Sequence, residues 1–268
     1  MTATDLVIED ETIGVVLAAG MGKRMNSTLP KVAHKLQGKA LVIWAIESLI
    51  AAGINKIIVV ISPTQTLVEK IISEYQFTKN VKINYAYQEK PLGTGHATQC
   101  GISGVEQYFL SSSKSYKDLN ILVAYGDTPA VTGETFKNFI SFHKKNNNIF
   151  SILAFVAKNP FGYGRILTDP NDNFESIREE KDCNEEQKKI SLCNSGFQCA
   201  KYEAMKEYLP LLKNKNAANE YYLTDLPIIA KEAGKKVNYL VGKDESEFLG
   251  INSQEQLAEM EIKLKKNS

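Results

Sequence analysis

The stretch GVVLAAGMGKRMNSTLPKV, residues 14–32, sets the reading of the whole chain. Its first residues belong to a continuous apolar run, TIGVVLA (12–18), which reads as a strand covered on both faces. The run breaks into a loop with two glycines, then displays Lys23, Arg24 and Lys31 without an acid among them. A buried strand that delivers a flexible, cationic turn suits a polyanion, most simply a chain of phosphates. The small run Ala18-Ala19-Gly20 lets a flat ring or a phosphate approach the backbone.

Working outward, the same alternation recurs. KIIVVIS (56–62), KINYAYQ (82–88), NILVAYGD (120–127) and IFSILAFVA (149–157) read as strands. Residues 40–53, 64–75, 94–109 and 132–145 read as helices, Gly53 closing the first of them. Strand–helix alternation predicts an α/β fold, a Rossmann-like doubly wound and mostly parallel sheet with helices on both faces. After about residue 158 the segments shorten and turns multiply, which predicts a smaller, irregular, β-containing lobe. Helices are expected again at 201–212 and 220–233, and a strand at 235–242. The last segment carries a capping box, Ser253-x-x-Gln256, with Leu257, Met260 and Leu264 on one helical face.

Composition bounds the function. The chain has 268 residues, 43% hydrophobic, and a formal net charge of +1. Near-neutral charge gives no reason to expect nucleic acid or an anionic membrane as partner, so a phosphate site must be local. Cys100, Cys183, Cys193 and Cys199 form no C-x-x-C pair and no common zinc spacing, which points to isolated thiols in a reducing cytosol. The acidic N-terminus has no apolar signal region, and no apolar run approaches the roughly 20 residues of a membrane helix. A cytoplasmic protein is expected; the residues leave its oligomeric state open.

In doubly wound sheets, ligands sit at the carboxyl ends of the strands. Three strands end suggestively: in Gly20-Met21-Gly22-Lys23-Arg24, in Gln88 before Leu92-Gly93-Thr94-Gly95-His96, and in Tyr125-Gly126-Asp127. The P-loop pattern G-x-x-x-x-G-K-[ST] does not occur, and the dinucleotide fingerprint fails because Met25 stands where a small residue is needed. Asp127 is open to two readings on local sequence, turn former or metal ligand. Asn252, just before the last helix, reads on local sequence as a helix cap, and His96 reads as packed or capping.

These blocks carry a resemblance. LAAGMGKRMNSTLPK (17–31) resembles the L-x-x-G-x-G-x-R-M…P-K motif of sugar-1-phosphate nucleotidylyltransferases. QEKPLGTGHA (88–97), YGDTP (125–129), GYGRI (162–166), EEKD (179–182), NSG (194–196), EYYLTD (220–225) and GIN (250–252) follow in order. Together they are similar to the N-terminal uridylyltransferase domain of the bacterial bifunctional family that makes UDP-N-acetylglucosamine. Two departures stand out: Ser195 where Thr is usual, and Lys90-Pro91 before Leu92. That family continues into a β-helix acetyltransferase built on hexapeptide repeats; this sequence carries none, so no acetyl transfer is expected of it.

The resemblance implies a nucleotide-diphospho-sugar transferase fold, with a nucleotidyltransferase domain over residues 8–252. Its nucleotide lobe would span about 12–157 and its sugar lobe about 158–250, followed by an amphipathic helix at 253–268. It implies transfer of UMP from UTP to N-acetylglucosamine-1-phosphate, with release of pyrophosphate. Arg24, Lys31 and Asp127 would be catalytic, with Lys23 assisting. Leu17, Ala18, Ala19, Gly20, Gln88, Gly93, Thr94 and Tyr125 would hold the nucleotide. Gly164, Glu179, Asn194, Tyr222 and Thr224 would hold the sugar, and Asp127 with Asn252 would hold Mg²⁺. Another base or sugar, or a non-catalytic nucleotide sensor, are the alternatives.

Overall fold

The computed structural model describes residues 11–110, 116 and 118–266. Its elements in chain order begin with β1 (Thr12–Leu17), the short hairpin β2 (Lys35–Leu36) and β3 (Lys39–Ala40), α1 (Leu41–Ala51) and β4 (Lys56–Ile61). There follow α2 (Thr66–Glu74), β5 (Lys82–Tyr87), α3 (Thr94–Phe109), β6 (Asn120–Tyr125), α4 (Gly133–Lys145) and β7 (Phe150–Val156). The later half holds the hairpin β8 (Gly164–Thr168) and β9 (Phe174–Arg178), then α5 (Glu185–Lys188), β10 (Leu192–Lys201), α6 (Tyr202–Tyr208), α7 (Asp225–Glu232), β11 (Val237–Val241) and α8 (Gln254–Lys266).

The main sheet runs β11-β7-β10-β6-β1-β4-β5. β1, β4, β5 and β6 are parallel neighbours, and β11 is parallel to β7. The long β10 is antiparallel to both β6 and β7, and carries the β8–β9 hairpin off the main path. The sheet is mixed but mostly parallel, the architecture expected of a nucleotide-diphospho-sugar transferase. The change of texture near residue 158 is not a sheet boundary, because β10 and β11 return into the same sheet.

Both faces are covered, which is why the strands read as unbroken apolar runs. Ile13, Val15, Ile58, Val60, Ile121 and Val123 face one core, with Ala97 and Val105 of α3 and Leu226 of α7. Val16, Ile57, Val59, Ile61, Leu122 and Ala124 face the other, with Ile46 of α1, Val68 of α2 and Phe139 of α4. Burial of each such side chain contributes roughly 1.5–3 kcal/mol. A third cluster, Leu36, Leu41, Ile251 and Met260 with Leu257 against it, seats α8. The side chain of Leu264 lies outside the described ones, as does that of Lys23.

The helix expected over 220–233 begins only at Asp225. The preceding residues spend their backbone groups elsewhere: Tyr221 N donates to Leu92 O at 2.8 Å, and Gly95 N donates to Tyr221 O at 2.8 Å. That pairing ties the 220–224 loop to the start of α3 and leaves Tyr222 and Thr224 off any regular element. The last helix is capped as expected on one side only. Ser253 Oγ accepts from Gln256 N, but Gln256 Oε1 accepts from the backbone of Asn252, at 2.7 Å. Among the described residues no helix is long and apolar enough to cross a membrane.

Candidate active site

Register places the predicted strand ends side by side. Leu17 pairs with Tyr125 across β1–β6 and with Val60 across β1–β4, while Ile61 pairs with Tyr87 across β4–β5. The loops after β1, β5 and β6 therefore open on one edge. Gln88 N extends the β4–β5 ladder by one bond to Ile61 O, at 2.8 Å, so the side chain of Gln88 starts from sheet backbone.

The first loop is held from inside. Met25 is fully buried, and its N–H donates to Gly22 O at 2.8 Å. Gly22 has φ +64°, and a Cβ there would lie 2.5 Å from Lys31 Cβ. Glycine thus lets the loop fold over the stem of Lys31. Behind it, buried Gln65 accepts from Ser62 N at 2.9 Å and approaches Ala19 O.

A cavity of about 290 Å³ opens at this edge, lined by Leu17, Ala18, Ala19, Gly20, Lys31, Val32, Gln88, Pro91, Gly93, Thr94, Ala97, Tyr125, Asp127 and Glu220. All eight residues expected at a nucleotide line it. A second cavity of about 270 Å³ is lined by Thr94, Tyr125, Gly162, Tyr163, Gly164, Glu179, Asn194, Ser195, Gly196, Glu220, Tyr222 and Thr224. The five residues expected at a sugar are among these. Thr94, Tyr125 and Glu220 border both cavities, so the two are adjacent.

The wall between them is wired. Thr94 Oγ1 accepts from Leu223 N at 3.1 Å, and the Tyr125 hydroxyl meets the Thr94 side chain. Burial, then the charges of Glu179 and Asp127, hold the Tyr125 hydroxyl well above its usual range, so it stays protonated. In the second cavity Thr224 Oγ1 donates to Glu179 Oε1 at 2.9 Å. Burial raises the Glu179 carboxyl, with Asp225, Asp182 and Glu220 adding to the rise and the Thr224 hydrogen bond opposing it. The Tyr222 hydroxyl is pushed up to about 12, by burial first and then by the charges of Asp182 and Glu179. Asn194 Oδ1 accepts from Gly196 N at 3.0 Å, which turns its amide nitrogen away from that bond. Ser195, the departure from the usual Thr, donates to Leu153 O at 2.5 Å and accepts from Phe197 N at 3.3 Å. Either residue type supplies that hydroxyl at the β10 bulge.

Lys31 lines the larger cavity, and Arg24 joins it from outside. Lys31 Nζ pairs with the Asp127 carboxylate and donates to Asn252 Oδ1 at 2.9 Å. Arg24 Nη2 donates to the same Asn252 oxygen at 3.0 Å. Arg24 and Asn252 border neither cavity but join the site through Lys31. Asn252 is not the helix cap, because Ser253 performs that task. Asp127 and Asn252 thus present a carboxylate and an amide oxygen already gathered around a cation. Among the described residues there is no group of three or more His, Cys, Asp or Glu suited to a metal. Two oxygen donors beside the cavity fit a hard divalent ion that takes its remaining ligands from water and a bound substrate.

Sequence reasoning missed Glu220, Gly162 and Tyr163, although all three stood inside quoted blocks. Val32, Pro91 and Ala97 line the larger cavity too: Val32 and Ala97 are buried packing residues that gave no signal, and Pro91 is an exposed residue of the departure before Leu92. Gln65 is a second tier, buried behind the loop. His96, expected to pack or cap, places Nδ1 3.1 Å from Gln88 Nε2. The four cysteines are free thiols.

Comparison with known proteins agrees with this geometry. The chain is similar to the protein named Bifunctional protein GlmU in Caldanaerobacter subterraneus subsp. tengcongensis, 37% identical over 252 residues that cover 94% of this chain and 51% of the relative. It is similar to the protein of that name in Clostridium tetani, at 39% over 253 residues, 94% of this chain and 52% of the relative. A third, from Clostridium novyi, is 41% identical over 247 residues, 92% of this chain and 51% of the relative. The chain spans about half the length of the curated relatives it matches. Residues 14–188, from β1 through α5, match the family described as MobA-like NTP transferase domain, and the chain belongs to that family of nucleotidyltransferases.

Proposed function

We propose that the protein transfers UMP from UTP to N-acetylglucosamine-1-phosphate, releasing pyrophosphate and forming UDP-N-acetylglucosamine. The observation that carries this reading is the pair of adjacent cavities sharing Thr94, Tyr125 and Glu220, with Lys31 and Asp127 lining one of them and joined to Asn252 and Arg24 by hydrogen bonds. A nucleotide in one cavity and a sugar phosphate in the other would meet at the shared wall. Residues from about 12–157 supply most of the nucleotide side and those from about 158–250 most of the sugar side.

A phosphate oxygen of the sugar-1-phosphate attacks the α-phosphorus. The new P–O bond forms as the bond to the bridging α–β oxygen breaks, and pyrophosphate leaves with that electron pair. The attacking monoester is already largely ionised near neutral pH, its second pKa being about 6, so no strong base is required. The protein's task is to hold two polyanions in line and meet the charge that grows on the leaving group. Lys31 and Arg24 supply positive charge beside the larger cavity, and Ala18-Ala19-Gly20 let the nucleotide lie against backbone. Glu179 and Asn194 offer an acceptor and a donor to sugar hydroxyls and the acetamido group. Asp127 and Asn252 would hold Mg²⁺, which supplies charge neutralisation on the phosphates.

The test is pyrophosphate release over a panel of UTP, dTTP, CTP and GTP against N-acetylglucosamine-1-phosphate, glucose-1-phosphate and mannose-1-phosphate. UTP with N-acetylglucosamine-1-phosphate should give the highest kcat/KM. Equal kcat/KM for glucose-1-phosphate would show the wrong sugar on the right chemistry. Nucleotide binding without pyrophosphate release would favour a regulatory protein.

A further inference from the structure

The amide of Gln88 has a forced orientation. Its Nε2 lies 3.1 Å from the Gly93 carbonyl oxygen. A carbonyl can only accept, so the nitrogen of the amide must face it; the flipped amide would set oxygen against oxygen. The same Nε2 lies 3.1 Å from His96 Nδ1. An amide nitrogen carries two hydrogens, and these two partners use both. His96 must then carry its own proton on Nε2 and accept at Nδ1.

Both partners are rigidly placed. Gly93 has φ +108°, and a Cβ there would lie 2.6 Å from Tyr221 O, so its carbonyl is locked between β5 and the 220–224 loop. His96 sits in the first turn of α3, which Gly95 N ties to Tyr221 O. Gln88 itself is 7% exposed and starts from the β4–β5 ladder. With its donors consumed, what Gln88 offers to the larger cavity is Oε1, an acceptor only.

We infer that His96 is a specificity-determining positioning residue: by taking the second amide hydrogen of Gln88 it makes the site accept a pyrimidine with a ring N–H and reject one with a ring acceptor at that place. Uracil and thymine carry N3–H; cytosine carries a lone pair at N3. Cytosine posed as uracil sets lone pair against lone pair, and turning the amide to suit it breaks two hydrogen bonds at once. The inference rests on the reading of the larger cavity as the nucleotide site.

The experiment compares His96→Phe, which keeps ring bulk but removes the acceptor, with His96→Asn, which keeps an acceptor near the place of Nδ1. For wild type and both variants, the Kd of UTP and of CTP is measured by calorimetry, and kcat/KM for each by pyrophosphate release. The UTP-over-CTP preference should fall at least about tenfold in His96→Phe and stay within about twofold of wild type in His96→Asn. A preference unchanged in His96→Phe overturns the inference, and so does a wild type that binds CTP as tightly as UTP. A binding preference that follows this pattern without pyrophosphate release upholds the role of His96 and removes nucleotidyl transfer instead.

Discussion

The Lys31 ammonium donates to Asn252 Oδ1 at 2.9 Å while pairing with the Asp127 carboxylate, so one cation bridges two oxygen donors from distant parts of the chain. A divalent ion drawn to those oxygens competes with that ammonium. Removing a unit charge a few ångströms from such a site is worth on the order of 1–4 kcal/mol at effective dielectric constants from water-like to protein-surface values. Lys31→Ala should therefore bind Mn²⁺ more tightly than wild type without nucleotide, by about tenfold, even as turnover falls. Free Mn²⁺ measured by electron paramagnetic resonance checks this. Equal or weaker binding in the variant would show that Lys31 and the metal use different oxygens.

The same cluster predicts how turnover responds. Charge on the departing pyrophosphate grows in the transition state, so Arg24→Ala should lower kcat more than it raises KM for the sugar phosphate. Asp127→Asn should cut turnover by orders of magnitude with the fold intact, since it removes the carboxylate charge proposed to hold the metal and no core contact. Steady-state kinetics and far-ultraviolet circular dichroism on each variant test both statements. Full activity in EDTA would remove the metal from the mechanism.

Glu179 sets function against stability. Its carboxyl is raised from the ordinary 4.5, by burial first, so the folded state holds that proton to higher pH than the unfolded chain does. That preference stabilises fully below the unfolded value and is lost as pH rises through the folded one. At pH 8 the carboxylate is a net cost, and Glu179→Gln should raise Tm by about 1–3 °C. The gain should vanish near pH 4, while sugar-phosphate use weakens and UTP binding is spared. Thermal melts at the two pH values decide it; a Tm at pH 8 equal to or below wild type refutes the assignment.

Much of this arrangement was legible because strands buried on both faces announce themselves. TIGVVLA and KIIVVIS became β1 and β4 nearly residue for residue, and the loop chemistry after them followed from the rule that ligands sit at strand ends. What stayed hidden depends on long-range pairing. Nothing local in LCNSGFQCAK says that it runs antiparallel between β6 and β7, since period and composition do not encode a partner. The helix expected at 220–224 yields to backbone bonds with Leu92 and Gly95, residues more than a hundred positions earlier. Glu220 reaches both cavities only through that same detour. Arg24 and Asn252 could be named from the blocks, but their meeting through one amide oxygen needs α8 to dock on Leu36 and Leu41.

Far from the site, His143 supplies a separate test of how the polar core is built. The Asn120 oxygen can only accept, so His143 Nε2 donates to it at 3.1 Å. Nδ1 then accepts from Ser151 Oγ at 2.9 Å; that oxygen accepts from Asn148 Nδ2 at 2.8 Å, and Asn148 Oδ1 accepts from Asn238 Nδ2 at 2.8 Å. With the imidazole uncharged, the run ties α4, β6, β7 and β11 through neutral hydrogen bonds. Burial first, and then the charges of Lys201 and Lys144, lower His143 from the ordinary 6.5 to about 3. A depressed value means that the unfolded chain takes up a proton first. The stability it confers is complete above pH 6.5 and drains away as pH falls towards 3. Within that window each pH unit costs up to about 1.4 kcal/mol. His143→Gln should be less stable than wild type at pH 8 by about 1–3 kcal/mol, because the chain loses its donor–acceptor match. It should also lose less on acidification, so the two stability curves converge between pH 6.5 and 4.5, where most carboxylates are still ionised. Urea unfolding at half-unit pH steps would show the convergence; parallel curves would mean that His143 takes up its proton in the native protein as readily as in the unfolded chain.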